Sequence, residues 1–267
     1  MVIRLSEAET LLKELGISEP SEIDLEAIAW TLNARVKYRP LDGCEARIIG
    51  HGDQAIITVN SHSSPRRQRF SLAHELGHWR YHRGRLLVCR SDDIGRTGNG
   101  QSGAERDADR YAADILMPRY LFQPLAKGHK KFNFQIISSL ADLFETSLTA
   151  TAIRAVEGEV SPSLLVCHGM LGRKWFVRSP SVPDRWFPRN ELDSDSFAFD
   201  VLFGNAVDDA SPRKIDADSW FDRYDASRYE IREQTIRTGD NEILTLILID
   251  DDQMLSESVT SYSRSRR

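Results

Sequence analysis

The segment Phe70-Ser71-Leu72-Ala73-His74-Glu75-Leu76-Gly77-His78 sets His-Glu-x-x-His inside an amphipathic helical pattern. Histidines four apart stand one turn apart on the same face of a helix, so their imidazoles converge on one point. A zinc hydrolase needs such a pair of nitrogen ligands, and a glutamate beside the first histidine is placed to reach a metal-bound water. Glu75 is therefore the candidate general base, and His74 and His78 are the candidate metal ligands.

The flanks support a helix. Ser64-Pro65 reads as N-cap followed by proline at the first helical position. Phe70, Ala73, Leu76, Gly77 and Tyr81 form an apolar stripe beside the histidine face. Gly84, among Arg80, Arg83 and Arg85, gives a stop. Gly77 costs about 1 kcal/mol relative to alanine inside a helix. That cost predicts a second backbone passing close by.

Catalytic zinc usually takes three protein ligands and leaves a fourth position for water. The third is sought in Ala104-Glu105-Arg106-Asp107-Ala108-Asp109-Arg110-Tyr111-Ala112-Ala113-Asp114-Ile115-Leu116-Met117-Pro118. Ala104, Ala108, Tyr111, Ala112, Ile115 and Leu116 make a helical stripe that Pro118 ends. Glu105 and Asp109 share a face bordering it, and the small alanines permit close packing on the first helix. Glu105 is the expected ligand, with Asp109 holding a ligand histidine from behind. Asp107 is the alternative, although an acid in a first helical turn is also what the helix dipole favours.

His82 extends the four-residue series, but eight residues of helix span about 12 Å, so it cannot share the metal. It is expected to be buried and hydrogen-bonded. His51, His62, His129 and His168 have no partner spacing and read as surface or structural. A second proton donor or oxyanion stabiliser is expected in such a site, with Tyr111, Tyr81 and His62 as candidates.

Arg66-Arg67-Gln68-Arg69-Phe70-Ser71-Leu72-Ala73-His74-Glu75-Leu76-Gly77-His78, followed by the Glu-x-x-x-Asp helix ending in Leu116-Met117-Pro118, resembles an ImmA/IrrE-type metallopeptidase across roughly residues 22 to 157. The resemblance implies a zinc-dependent endopeptidase with a thermolysin-like (zincin) core. It implies a protein substrate, often a helix-turn-helix repressor, cleaved in stress responses or mobile-element induction. Carried over by position, His74, His78 and Glu105 are the ligands and Glu75 the catalytic glutamate. Many such proteins have Asn where this chain has Asp109, and Glu where it has Asp107. His₂-carboxylate sites accept several metals, so Zn²⁺ is expected, with Mn²⁺ or Fe²⁺ as alternatives. By the same resemblance, an edge strand would align an extended peptide through main-chain pairing, and Ala55 to Val59 is the strand expected to do so.

At 267 residues, with 40% apolar and 28% charged side chains, the composition is that of an ordinary globular protein. The first residues carry Arg4, Glu7 and Glu9 without a long apolar run, so no signal peptide is expected. No segment approaches the roughly 20 apolar residues of a membrane span. Cys44, Cys89 and Cys167 are scattered and contain no C-x-x-C, which fits a reducing cytoplasm; a redox switch at Cys44 or Cys89 is the alternative. A net charge of −5 excludes nucleic-acid binding by bulk field. The sequence gives no expectation for oligomeric state.

The fold expected is α+β. Ser6-Glu7-Ala8-Glu9 has capping-box spacing, and Gly16 stops the first helix. A second helix holds Leu25, Ile28, Ala29 and Leu32. Val36 to Tyr38, Ala46 to Ile49 and Ala55 to Val59 read as strands. The linker 84–103, rich in Gly, Ser, Asp and Arg, reads as a mobile loop or a disordered connector. Ile136 to Val156, with Leu140, Ala141, Leu143, Phe144, Leu148, Ala152, Ile153 and Val156, reads as two short helices resembling a helix-turn-helix. Further on, Leu164 to Cys167, Lys174 to Arg178, Tyr229 to Ile236 and Glu242 to Ile249 read as strands, the last apolar enough to be central. The domains expected are a metallopeptidase domain at 1–126, a helical segment at 127–159, a β-rich C-terminal domain at 160–252 and a disordered tail at 253–267. The function expected is that of a zinc endopeptidase acting on one cytosolic protein. The alternative is a DNA-binding regulator, or a sensor with an inert metal site.

Overall fold

The computed structural model describes residues 4–82, 103–129, 131–239 and 241–256. All of the linker expected at 84–103 except Gly103, which begins a helix, lies outside them, as do the stop at Gly84, Cys89 and most of the expected tail. The chain divides into two compact units, Met1–Ala155 and Val156–Arg267.

In the first unit α1 (Glu7–Glu14) starts with the expected capping box at Ser6 and Glu9. Helix α2 (Leu25–Thr31) is capped by Asp24, whose carboxylate accepts from the Glu26 and Ala27 amides. Strands β1 (Ala34–Arg39), β2 (Ala46–His51) and β3 (Gln54–Asn60) form a sheet in the order β1-β3-β2, with β1 parallel and β2 antiparallel to β3. This order corrects one expectation. Ala55 to Val59 belongs to the middle strand, both of whose edges are paired, so it has no edge to offer a peptide. The unpaired edges belong to β1 and β2.

Helix α3 (Pro65–Tyr81) packs across β2 and β3. Ser64 is its N-cap and Pro65 its first residue, but the Ser64 hydroxyl makes no capping bond. Gln68 reaches back instead, and its side-chain amide donates to the carbonyls of Ser63 (2.7 Å) and Ser61 (3.2 Å). At the far end the Trp79 indole donates to the Leu32 carbonyl (2.8 Å) and its ring lies against Gly50 of β2. Helix α4 (Gly103–Leu116) crosses α3, and α5 (Arg119–Lys127), α6 (Phe134–Leu143) and α7 (Leu148–Glu157) follow. Helices α6 and α7 meet at a 109° bend, within the usual range for a helix-turn-helix. Leu143, expected in the core, is exposed, whereas Phe144 beside it is buried.

A buried ionic cluster ties these helices together. Glu9 of α1 accepts from the backbone amide and guanidinium of Arg119. Arg154 of α7 donates twice to the Met117 carbonyl (2.9 and 2.7 Å) and pairs with Asp114 of α4 (2.8 Å). A buried carboxylate is tolerated only when paired in this way.

The second unit is built on an antiparallel sheet of β4 (Ser163–Gly169), β5 (Gly172–Arg178), β6 (Arg213–Asp216), β7 (Glu230–Gly239) and β8 (Glu242–Leu248), in the order β5-β4-β8-β7-β6. Strand β8 is the central one, as its unbroken apolar run implied. One face packs on Trp186, Trp220, Phe221 and helix α8 (Phe197–Phe203). The final turn α9 (Asp252–Leu255) buries Met254, whose carbonyl accepts from the Trp186 indole at 2.7 Å. Order thus continues past 253, where a disordered tail was expected. Among the described residues no single helix is long and apolar enough to cross a membrane.

Candidate metal centre

Helix α3 presents His74, Glu75 and His78 from a stretch that is buried from Ser71 to Trp79. The Nε2 atoms of His74 and His78 are 3.0 Å apart. Helix α4 brings Glu105 to both: its Oε2 is 3.1 Å from His74 Nε2, and its Oε1 is 3.5 Å from His78 Nε2. The two helices approach closely because Gly77 faces Ala108. A Cβ at position 77 would lie 2.9 Å from Ala108 Cα and 3.0 Å from its carbonyl oxygen. The glycine expected to admit a second backbone does so, and the backbone is that of the helix carrying Glu105.

The donor set can be tested for a metal on its own chemistry. Asp109 Oδ1 lies 2.8 Å from His74 Nδ1, so His74 donates its Nδ1 proton there and turns the lone pair of Nε2 toward Glu105 and His78. Lone pairs and a carboxylate crowded this closely repel unless a cation lies among them. Two ligands bound about 2.05 Å from a tetrahedral zinc stand about 3.3 Å apart. The separations of 3.0, 3.1 and 3.5 Å match that spacing, and the three residues form a metal-competent group. The electrostatics show that this point favours positive charge, which a divalent metal would supply. Burial disfavours charge on His74, but its hydrogen bonds to Asp109 and Glu105 outweigh burial and raise its pKa. The His74 and His78 contacts hold Glu105 well below the usual carboxylate range. The arrangement fits a divalent metal held by His74, His78 and Glu105 with Asp109 behind.

Other expected positions fall elsewhere. Asp107 is exposed, two residues round α4 from Glu105 and off the converging face. His62 is exposed in the connection before α3, its backbone amide donating to Asn60. Tyr111 is buried in the α3–α4 crossing, edge-on to Tyr81 with centroids 5.8 Å apart. Burial and then Tyr81 raise its pKa, with Arg80 and Glu7 as its charged neighbours. Glu75 is fully buried beside His74 and acts on it electrostatically. His82 is half-buried, with its Nδ1 3.3 Å from His78 Nδ1, so it borders a ligand without joining the set. The Glu9–Arg119 and Arg154–Asp114 pairs, which brace α4 from behind, were not foreseen from the sequence.

Residues 31–156 match the family model described as the IrrE N-terminal-like domain, Peptidase_M78. A solved chain titled Mycobacterium tuberculosis transcriptional regulator is similar in fold, with a TM-score of 0.57 over 90% of this chain and 74% of its own. At 15% identity that likeness is one of fold alone. No curated protein matches the chain.

Proposed function

The chain belongs, through residues 31–156, to the ImmA/IrrE family, and from that premise we propose that it is a zinc-dependent endopeptidase with a zincin-type core. The observation that carries this reading is the convergence of His74 Nε2, His78 Nε2 and the Glu105 carboxylate, with Asp109 fixing the first imidazole. A divalent metal at that point supplies Lewis acidity, polarising a peptide carbonyl and acidifying a water molecule.

The chain's own residues do the rest. Asp109 keeps His74 in the tautomer that offers Nε2. Glu75 takes the proton of the attacking water and delivers it to the amide nitrogen as the C–N bond breaks. Its buried position strengthens its field on that water. An extended substrate pairs by its main chain with an unpaired strand edge. We assign that role to β2, because α3 packs directly on it and Trp79 contacts its Gly50.

The proposed substrate is a single cytosolic protein, a helix-turn-helix repressor being the favoured kind, whose cleavage relieves repression. The rival is direct DNA binding by α6 and α7. The bend between them suits it, but Arg154 is the one basic residue in either helix, and it is held by Asp114 and the Met117 carbonyl. Phosphate binding requires free cations and gives a steep loss of affinity with salt.

The test incubates zinc-loaded protein with repressors encoded beside its gene and seeks one cut by mass spectrometry. Glu75→Gln is expected to abolish the cut while zinc content and fold persist. Turnover retained by Glu75→Gln would refute the assigned base.

A further inference from the structure

The sheet of the first unit has one face toward α3 and one toward solvent. Register places Arg35, Lys37 and Arg39 of β1, Ile56 and Thr58 of β3, and Arg47 and Ile49 of β2 on the face away from α3, where Thr58 is buried and the others are exposed. Lys37 and Arg47 flank Thr58 from either side, and Arg35 and Ile49 flank Ile56. The three strands hold four Lys and Arg side chains and no carboxylate, although the chain carries a net charge of −5. Among the described residues none of the four is in an ion pair, whereas Arg66, Arg67, Arg69 and Arg80 of α3 all are.

The centre of this face is apolar. Ile49 and Ile56 are directly paired across the strands and are 57% and 40% exposed. Trp30, 66% exposed at the end of α2, has the Arg35 guanidinium 5.5 Å from its ring. The solvent face of a sheet is normally polar. An exposed β-branched pair beside an exposed tryptophan and ringed by cations has the anatomy of a protein interface, with an apolar centre, an aromatic–arginine anchor and a charged rim.

We propose that this face docks an acidic segment of a protein partner, with carboxylates meeting Arg35, Lys37 and Arg47 and apolar side chains covering Ile49 and Ile56. Charge complementarity selects the partner. A second copy of the same face would bring cation against cation, which excludes a self-complementary dimer. Single-stranded nucleic acid needs aromatic platforms for its bases. This face offers no row of them: Trp30 is a single ring already covered by the Arg35 guanidinium, and Tyr38 lies off the face by register and donates its hydroxyl to Glu26. The docking is made by side chains on the face opposite α3, whereas the proposed substrate pairing uses the main-chain edge of β2, and the docking does not depend on bound metal.

The experiment pans the immobilised full chain, stripped of metal, against random twelve-residue peptides displayed on phage, then titrates selected peptides by fluorescence anisotropy. A dT12 oligonucleotide is titrated beside them. Enriched peptides are expected to combine Asp and Glu with Leu, Ile or Phe. Their affinity is expected to fall about tenfold or more in K37E/R47E and in I49S/I56S, and to weaken with added salt. K37Q/R47Q, which removes charge without reversing it, is expected to lie between wild type and K37E/R47E. Circular dichroism matching wild type shows that each variant is folded. The proposal is overturned if enriched peptides lack an acidic excess, if neither double variant weakens them, or if dT12 binds more tightly than any peptide.

Discussion

Replacing glycine by alanine inside a helix ordinarily stabilises a protein by about 1 kcal/mol. Gly77→Ala is expected to do the opposite here. The new methyl carbon would lie 2.9 Å from Ala108 Cα, 3.0 Å from the Ala108 carbonyl oxygen and 3.1 Å from Tyr111 Cβ. Two of those three neighbours are backbone and cannot swing aside. Carbon atoms settle at about 3.5–4.0 Å, so α3 and α4 must part by roughly half an ångström. Overpacking of this kind costs about 1–3 kcal/mol. Set against the propensity gain, the metal-free protein should lose about 0–2 kcal/mol.

The larger effect falls on the metal. Glu105 is one turn from Ala108 on the helix that is displaced, and its oxygens stand 3.1 and 3.5 Å from the two imidazole nitrogens. Shifts of this size are a sizeable fraction of a metal–ligand bond, and disturbed support typically lowers metal affinity about 10–100-fold. Urea unfolding after chelator treatment gives the first quantity, and competition for Zn²⁺ against a chromophoric chelator gives the second. An alanine variant stabilised by the full 1 kcal/mol with unchanged zinc affinity would show that the close crossing does not hold the third ligand.

Three further outcomes follow from the same structure. Asp109→Ala is expected to lower zinc affinity about 10–100-fold by freeing the His74 ring, and Asp109→Asn, which still accepts from Nδ1, should recover part of it; equal affinity in all three proteins in the chelator competition would remove Asp109 from the site. Arg154→Met leaves Asp114 and the Met117 carbonyl without their shared donor and should destabilise the chain by about 3 kcal/mol in urea unfolding; a loss under about 1 kcal/mol would mean the cluster is not a brace. Burial pushes the His168 imidazole down to about 4, with Arg173 adding to the effect, so the unfolded chain takes up the proton first and stability contributed above about pH 6.5 is lost as pH falls toward 4, by at most about 3 kcal/mol; His168→Phe should flatten that part of the profile, and parallel profiles for variant and wild type would contradict the assignment.

What the sequence disclosed about the site follows from the range of each interaction. His74 and His78 are related by the period of one helix, so their spacing states their convergence without reference to the rest of the chain. Glu105 comes from a different helix, and only the phase of the Ala108, Tyr111, Ala112 and Ile115 stripe indicated that it faces inward while Asp107 does not. That phase fixes which side of α4 meets α3. It says nothing of where a long side chain on that side ends, and Tyr111, expected by its chemistry to be a candidate proton donor, packs edge-on against Tyr81 instead. The strands themselves were recognisable from local alternation, whereas their order was not. A hairpin of β2 and β3 leaves open which of the two accepts β1, and the parallel pairing of β1 with β3 decided it.

The same limit explains why the cluster behind α4 was not foreseen. A lone charge such as that of Arg154 or Glu9 is too costly to bury. That cost disappears only when partners from distant segments arrive together, here Asp114, Arg119 and the Met117 carbonyl. These contacts fix the C-terminal end of α4, and Gly77 fixes its middle against α3. A carboxylate in the first turn of a helix frays unless the rest of that helix is held. The placement of Glu105 between two imidazoles therefore depends on a cluster more than a helical turn away as much as on the motif that announces the site. Substitutions at Arg154 should consequently weaken zinc binding as well as stability, and a variant that lost stability while keeping full zinc affinity would separate the brace from the metal centre.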